Sequence, residues 1–252
     1  MTDLALTQDD FLGGKVRLWQ PRKGYRAGVD PVLLAASIPA HPGQSVLELG
    51  CGAGAASMCL SARVSGLTLT GVEVQPFYAG LARRNGAENG ANLTVIESDL
   101  RALPPDLRQQ RFDHVMMNPP YFDRQASTRA EDDGRDVALG GDTPLSDWIE
   151  VGARRLAPRG YLSVIQRIER LPEVLTAVTA RLGSVVVRPI AARNGRAPGL
   201  FLLQARQGGR AAFHLSAPLI LHDGPEHMKD GEDYSAAVQD ILRNAGQLPI
   251  RD

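Results

Sequence analysis

The sequence predicts an α/β fold: a mostly parallel sheet with helices on both faces, finished by an antiparallel pair of strands. Three observations predict it. Short apolar runs rich in β-branched residues alternate with segments of helical period, the pattern of strands buried on both sides of a parallel sheet. Glycines stand where several helical segments end. The last two apolar runs are joined by a short loop with no helix in it, a connection that suits antiparallel neighbours.

The expected strands are Ser45–Leu49, Leu67–Val74, Leu93–Ser98, Phe112–Asn118, Tyr161–Arg167, Val185–Ile190 and Leu200–Arg206. The expected helices are Asp30–Ile38, Ala53–Val64, Pro76–Asn89, Leu145–Leu156 and Leu171–Leu182. Gly66, Gly90 and Gly183 read as C-terminal caps of the second, third and last of these helices. The segment AARNGRAP, residues 191–198, links the final two strands as a hairpin that closes the sheet.

Three regions lie outside this core. Residues 1–27 are polar and basic, with Lys15, Arg17, Arg22, Lys23 and Arg26 interleaved with Trp19 and Tyr25. Residues 122–144 are polar and aperiodic, a length that marks a flexible loop, and a lid is the role it suggests. Residues 208–252 hold a weak strand and a helix around Tyr234–Ala245. The expectation is one domain: a basic N-terminal appendage, a core over 28–207 and a C-terminal extension.

Composition narrows the function. The chain has 252 residues, with Lys+Arg and Asp+Glu both at 28. A net charge of zero excludes a histone-like polyelectrolyte, so any nucleic-acid contact must use local basic patches. Two cysteines, Cys51 and Cys59, make neither a disulfide framework nor a four-thiolate metal site. They read as small buried side chains. No apolar run approaches a membrane span and the N-terminus lacks a leader pattern, so the expected location is cytoplasmic, with no membrane partner.

The segment Glu48-Leu-Gly50-Cys-Gly52-Ala-Gly54 ends the first core strand and opens a helix. Glycines allow a sharp turn and close approach to a ligand, and the helix start adds unpaired N–H groups. The spacing is G-x-G-x-G, not the G-x-G-x-x-G of a dinucleotide site. The Glu48 carboxylate would repel a pyrophosphate and could hold an ammonium group, which favours cationic S-adenosylmethionine over NAD. Glu73, at the end of the second strand, can accept from ribose hydroxyls. Asp99, after the third, can accept from an adenine amino group.

Asn118-Pro119-Pro120-Tyr121 follows the fourth strand. The prolines stiffen the turn and remove backbone donors, leaving the Asn118 side-chain oxygen and the Pro119 carbonyl as acceptors. Two acceptors suit a planar amino group on an sp² carbon: holding its protons localises the nitrogen lone pair toward an electrophilic methyl. Tyr121 can stack on a flat base. No strong general base is needed, and His114, in mid-strand, reads as structural.

Together these residues resemble the class I S-adenosylmethionine-dependent methyltransferases, in particular the amino-methylating group with an Asn-Pro-Pro-Tyr motif. The likeness covers about residues 24–207. Upstream, KGYRAGVDPVLLAA (residues 23–36) is similar to the opening helix of the bacterial tRNA(Val) adenine-N6 methyltransferases. The resemblance implies a Rossmann-like seven-stranded sheet, S-adenosylmethionine as donor and an adenine of tRNA swung into the site. It implies cofactor positions for Gly50, Gly52, Gly54, Glu73 and Asp99, and a target-amine position for Asn118, Pro119, Pro120 and Tyr121. Arg26 and Asp30 then line the entrance, counted with Glu48 and Asn118 among the cofactor contacts. The acidic run Glu131, Asp132, Asp133 and Asp136 would oppose a phosphate backbone held near it.

The N-terminal basic–aromatic stretch either binds RNA or is a solvated tail with its aromatics tucked onto the core. Arg188, Arg193 and Arg196 either extend an RNA surface or guard the sheet edge. His222, Asp223 and His227 are split by Gly224-Pro225 and read as a surface turn, so no metal is expected. The rival functions are a protein-glutamine N5 methyltransferase, a ribosomal-RNA amino-methyltransferase and, from another class, a non-catalytic RNA-binding module. The little chain before Ser45 argues against the first, and the intact glycine turn and Asn118–Tyr121 together argue against the last. A dehydrogenase is disfavoured by the glycine spacing.

Overall fold

The computed structural model describes residues 5–121, 143–224 and 233–251. The expected loop at 122–144 thus falls outside the described residues except for Thr143 and Pro144, and so does His227.

The chain opens with strands β1 (Leu6–Phe11) and β2 (Val16–Pro21). There follow α1 (Asp30–Ser37), β3 (Ser45–Leu49), α2 (Ala55–Arg63), β4 (Thr68–Glu73), α3 (Pro76–Glu88) and β5 (Leu93–Glu97). Next come α4 (Pro105–Gln109), β6 (Phe112–Met117), α5 (Leu145–Arg155), β7 (Leu156–Arg167) and α6 (Leu171–Thr179). The chain finishes with β8 (Gly183–Ala191), β9 (Leu200–Arg206), β10 (His214–Leu215), β11 (Leu219–Ile220) and α7 (Ala236–Asn244). Proline occupies the first turn of α1, α3, α4 and α6, where its missing N–H costs no hydrogen bond.

All seven expected strands and all five expected helices form. The largest boundary difference is in β7, which begins at Leu156 because Leu156 pairs with Phe112 before the register shifts. The sheet runs β5-β4-β3-β6-β7-β9-β8, with β10 and β11 both paired to β8. β9 is antiparallel to both its neighbours, while the pairings among β3–β7 are parallel. Among the described residues the sheet therefore has nine strands, not the expected seven. The expected hairpin exists, but it does not close the sheet: its second strand inserts between β7 and β8, and the two short strands cover the edge of β8.

Alternation along the strands fills both faces. Val46, Leu69 and Met116 pack with α1 and α2, whereas Leu47, Val115 and Val164 pack with α5 and α6, as the two-residue period of a strand requires. Gly66 and Gly90 adopt positive φ at helix ends as expected. Gly183 does not, and this corrects its reading as a cap: it opens β8, and a Cβ there would lie 2.1 Å from the Gly209 carbonyl oxygen. Close approach of two backbones, not helix termination, requires glycine at this position.

In the N-terminal region the aromatics Trp19 and Tyr25 are tucked onto the core as one reading had it, but the segment is a paired hairpin and not a solvated tail. Leu6 to Pro21 pair in register as a hairpin. Val16 and Leu18 point into the core beneath α1 and α2 while Arg17 faces outward. Trp19 is clamped: its indole N–H donates to Glu88, its backbone N–H to Asn85, and the Arg84 guanidinium lies 3.8 Å from its ring centroid. The other end of the chain packs on the same side. Lys15 donates to the Asn244 carbonyl, and the Leu248 N–H donates to Ala36 of α1.

Because β3, β4, β5, β6 and β7 run parallel, their carboxyl ends share one rim. β3 has β4 on one side and β6 on the other. This reversal of strand order opens a crevice at the rim, the place where doubly wound sheets bind ligands.

Candidate active site

A cavity of about 550 Å³ occupies that crevice, a size within the range of small-molecule sites. Its lining includes Arg26, Asp30, Glu48, Gly50, Gly52, Glu73, Asp99 and all of Asn118 to Tyr121. Of the expected site residues only Gly54 is not on its wall, because it opens α2 and packs against Ala82 of α3.

The glycine side is built from backbone. Gly50, Gly52 and Gly54 all hold positive φ, at 66°, 53° and 85°, a region that side-chain-bearing residues seldom enter. Gly50 has a second constraint: a Cβ there would lie 2.5 Å from the Trp148 ring of α5. Two buried carboxylates sit behind this turn. Glu48 accepts from the Ser57 backbone N–H at 3.1 Å and from the Ser57 hydroxyl, tying β3 to the first turn of α2. Burial nevertheless pushes its pKa up to about 8, with Glu73 adding repulsion. Glu73 accepts from the Gly52 N–H at 2.8 Å and the Gln75 N–H at 2.9 Å; burial raises its pKa too, opposed by these amide bonds. The two arginines on the cavity wall are already paired, Arg26 with Asp9 and Arg101 with Asp99, each at 2.7 Å.

Among the described residues, then, Glu48 and Glu73 meet only amide and hydroxyl donors. That is a cradle for a cationic ligand: burial without a counter-ion raises both carboxyl pKa values, and a bound cation would favour their ionised forms. Volume, turn geometry and charge fit S-adenosylmethionine.

Two cofactor-side expectations change in detail. Asp99 reaches the rim, but both its oxygens are held by Arg101, which keeps its pKa below the usual range. An adenine amino group would share it with that guanidinium. Arg26 lies at the mouth, where it also donates to Thr7 and the Pro21 carbonyl. It thereby ties the N-terminal hairpin to the cavity.

The other wall is propped by side chains. The Tyr121 hydroxyl donates to Asp30 at 2.5 Å, and burial together with Asp30 raises its pKa. Gln166, wholly buried on β7, donates from Nε2 to the Pro119 carbonyl at 3.2 Å and the Pro120 carbonyl at 3.4 Å. The Pro119 carbonyl is therefore shared: Gln166 uses one lone pair and the other stays available. Asn118 Oδ1 is buried and, among the described residues, has no hydrogen-bond partner. An orphaned acceptor on a cavity wall is costly unless a ligand completes it.

A family described as methyltransferase small domain matches residues 27–134. A tRNA1(Val) (adenine(37)-N6)-methyltransferase of Porphyromonas gingivalis is 31% identical over 86% of this chain and 91% of its own length. This chain belongs to that methyltransferase family. A Haemophilus influenzae relative of the same name is 26% identical over 71% of this chain and 76% of its own. Among solved structures, a predicted O-methyltransferase from Agrobacterium tumefaciens superposes with a TM-score of 0.70 at 26% identity, covering 87% of this chain and 98% of that one. The 16S rRNA N2 G1207 methyltransferase of T. thermophilus, solved with AdoMet and guanosine, shares the fold at a TM-score of 0.56 and 18% identity, over 81% of this chain and 50% of that one. The methyltransferase uses S-adenosylmethionine.

Several other residues singled out in the sequence, all but Cys51 away from the cavity, have structural roles. His114 is buried in β6, bonded to Gln44 and stacked with Tyr161, and burial pushes its pKa down to about 4. Cys51 and Cys59 are buried and unpaired; burial pushes the Cys59 thiol up to about 12 and the Cys51 thiol up as well. Cys51 lines the cavity and fills the space left by Gly71. Arg188 donates to the Pro249 carbonyl, and Arg193 pairs with Asp233, so both serve the C-terminal packing. His222 bonds Asp233 at 2.8 Å and stacks on Tyr234. Among the described residues no cluster is placed to hold a metal, and no helix is long and apolar enough to cross a membrane.

Sequence reasoning missed Gln166 and Trp148. Gln166 lies in an apolar strand, where a lone buried amide signals a required partner, and that was its one available clue. Trp148 carried none, since its contact with Gly50 is purely tertiary.

Proposed function

We propose that the methyltransferase transfers a methyl group to the exocyclic N6 amino group of an adenine in tRNA, with Asn118 receiving that amine. The observation that carries the reading is Asn118 Oδ1, buried and without a hydrogen-bond partner among the described residues, in a cavity that Glu48 and Glu73 also line. The relatives' names supply the substrate class.

When bound, S-adenosylmethionine supplies an electrophilic methyl carbon on a positively charged sulfur. Glu48 and Glu73 put negative charge under the cationic end of the site, and Glu73 keeps lone pairs for ribose hydroxyls beyond its two amide bonds. The open backbone at Gly50 and Gly52 lets a ligand approach where a side chain would block it. Asn118 Oδ1 accepts one amine proton, and the Pro119 carbonyl, with a lone pair beyond the one used by Gln166, can accept the other. Both bonds pull the nitrogen lone pair out of conjugation with the ring and orient it. Tyr121 offers a stacking face to a base that has left its own stack. No side chain need act as a base, because the nitrogen sheds its proton to water after bond formation. Arg22 and Lys23 are exposed and can meet the RNA backbone. A cytoplasmic location belongs to the same reading.

The test is incubation with labelled methyl donor and separate unmodified tRNA, ribosomal RNA and protein fractions. Label recovered as N6-methyladenosine from tRNA is expected. Label in ribosomal RNA or in glutamine, or no incorporation by protein that binds the donor, would overturn the assignment.

A further inference from the structure

Asp30 was expected from the sequence to touch the cofactor at the entrance. Its observed partner is different: the Tyr121 hydroxyl donates to its Oδ2. Asp30 is the first residue of α1, fixed there by Pro31 and by a helix whose next residues are wholly buried. Its carboxylate is thus anchored to a rigid element. Tyr121 ends the Asn118-Pro119-Pro120-Tyr121 turn. On its N-terminal side, Gln166 braces the carbonyls of Pro119 and Pro120 but reaches neither the Tyr121 ring nor its hydroxyl.

We propose that Asp30 is a positioning residue: it holds the Tyr121 phenol by its hydroxyl and so fixes the ring as the wall against which the target base stacks. This rests on the reading of the turn as the target-amine site. A tyrosine turns freely about two side-chain bonds, and stacking requires one orientation of the ring plane. A hydrogen bond from the far end of the ring to an anchored carboxylate selects that orientation before the base arrives. Misplacing a bound reactant by even an ångström lowers the rate steeply. Phosphate contacts carry most of the affinity for RNA, so loss of the brace falls on kcat, with little change in KM for RNA or in donor affinity.

The experiment compares Asp30→Ala, Asp30→Asn, Tyr121→Phe and the Asp30→Ala/Tyr121→Phe double variant in the full chain. Steady-state kinetics are measured on the methylated RNA, and donor affinity by calorimetry. Asp30→Ala and Tyr121→Phe should each lower kcat about tenfold, the loss expected for a hydrogen bond to a charged group, and the double variant should lose no more than either alone. Asp30→Asn keeps an acceptor and should stay within about threefold of the parent. Losses that multiply to about a hundredfold in the double variant would overturn the proposal. So would an Asp30→Ala protein whose donor affinity falls tenfold while kcat at saturating donor is unchanged, since that is the behaviour of a cofactor contact. A readout independent of activity is the NMR signal of the Tyr121 Cζ carbon, expected to move in Asp30→Asn. An unmoved signal overturns the contact and leaves the tRNA reading intact. A moved signal in a protein that methylates no tRNA upholds the contact and overturns that reading instead.

Discussion

The two walls of the cavity are built by different means. The donor wall is a backbone structure: three positive-φ glycines in one turn, and two carboxylates bonded to main-chain N–H groups of Ser57, Gly52 and Gln75. The acceptor wall is a rigid turn braced by single side chains from distant elements, Asp30 of α1 and Gln166 of β7, with Asn118 Oδ1 left without a partner among the described residues. A backbone wall is defined by residues near one another in sequence and tolerates almost no added atom. A braced wall tolerates substitution of its braces at the cost of precision. Damage to the first should appear as lost binding, and damage to the second as lost rate.

The sharpest test of that division is Asn118→Ala. Removing the open acceptor should lower single-turnover methyl transfer by about 10²–10³-fold, the scale seen when one preorganised polar partner of a transition state is deleted. Donor affinity by calorimetry should stay within about twofold. A variant that still transfers at the parent rate would assign the amine to another group. Next is Gly50→Ala. A Cβ at 2.5 Å from Trp148, added to a left-handed φ, should cost roughly 1–3 kcal/mol of stability and weaken donor binding at least tenfold. Unchanged affinity and melting would show that the backbone wall is less tightly specified than its geometry indicates.

Gln166→Leu should lower kcat about tenfold, because the Pro119 and Pro120 carbonyls lose their brace, with donor affinity unchanged; a fall in donor affinity alone would join the two walls into one unit. The smallest effect is a pH dependence. Glu48 has a folded-state pKa near 8 against an ordinary value of 4.5, so folding favours its protonated form. Its destabilising effect is absent below about pH 4.5 and grows as pH rises toward 8. Without donor, the wild-type melting temperature should fall relative to Glu48→Gln across that window, by an amount equivalent to about 1–2 kcal/mol after relaxation of the site. Donor should narrow the gap, because its positive charge favours the ionised carboxylate. Parallel curves for the two proteins would place Glu48 in contact with water.

The legibility of the molecule follows the same division. The glycine turn, the acids ending β3 and β4, and Asn118–Tyr121 were readable because each is local: a few adjacent residues whose types are dictated by backbone conformation or by strand ends. The strands were readable because burial on two faces leaves an unbroken apolar run. The N-terminal hairpin was not, since only Val16, Leu18 and Gln20 alternate against a polar background. Its pairing is stabilised by long-range partners such as Asn85 and Asn89 of α3. Gly183 was misread because a glycine after a helix looks the same whether it ends that helix or lets Gly209 approach.

The sequence by itself determined the parallel sheet, the rim where its strands end, and the identity of the polar groups gathered there, because period and spacing act over a few residues. Tertiary structure alone decided which of those groups were already satisfied. Arg101 took up Asp99, Gln166 took up one lone pair of the Pro119 carbonyl, and Tyr121 took up Asp30, while Asn118 Oδ1 was left open among the described residues. A hydrogen bond is settled by a few tenths of an ångström between atoms brought together from far along the chain, and no local pattern carries that distance.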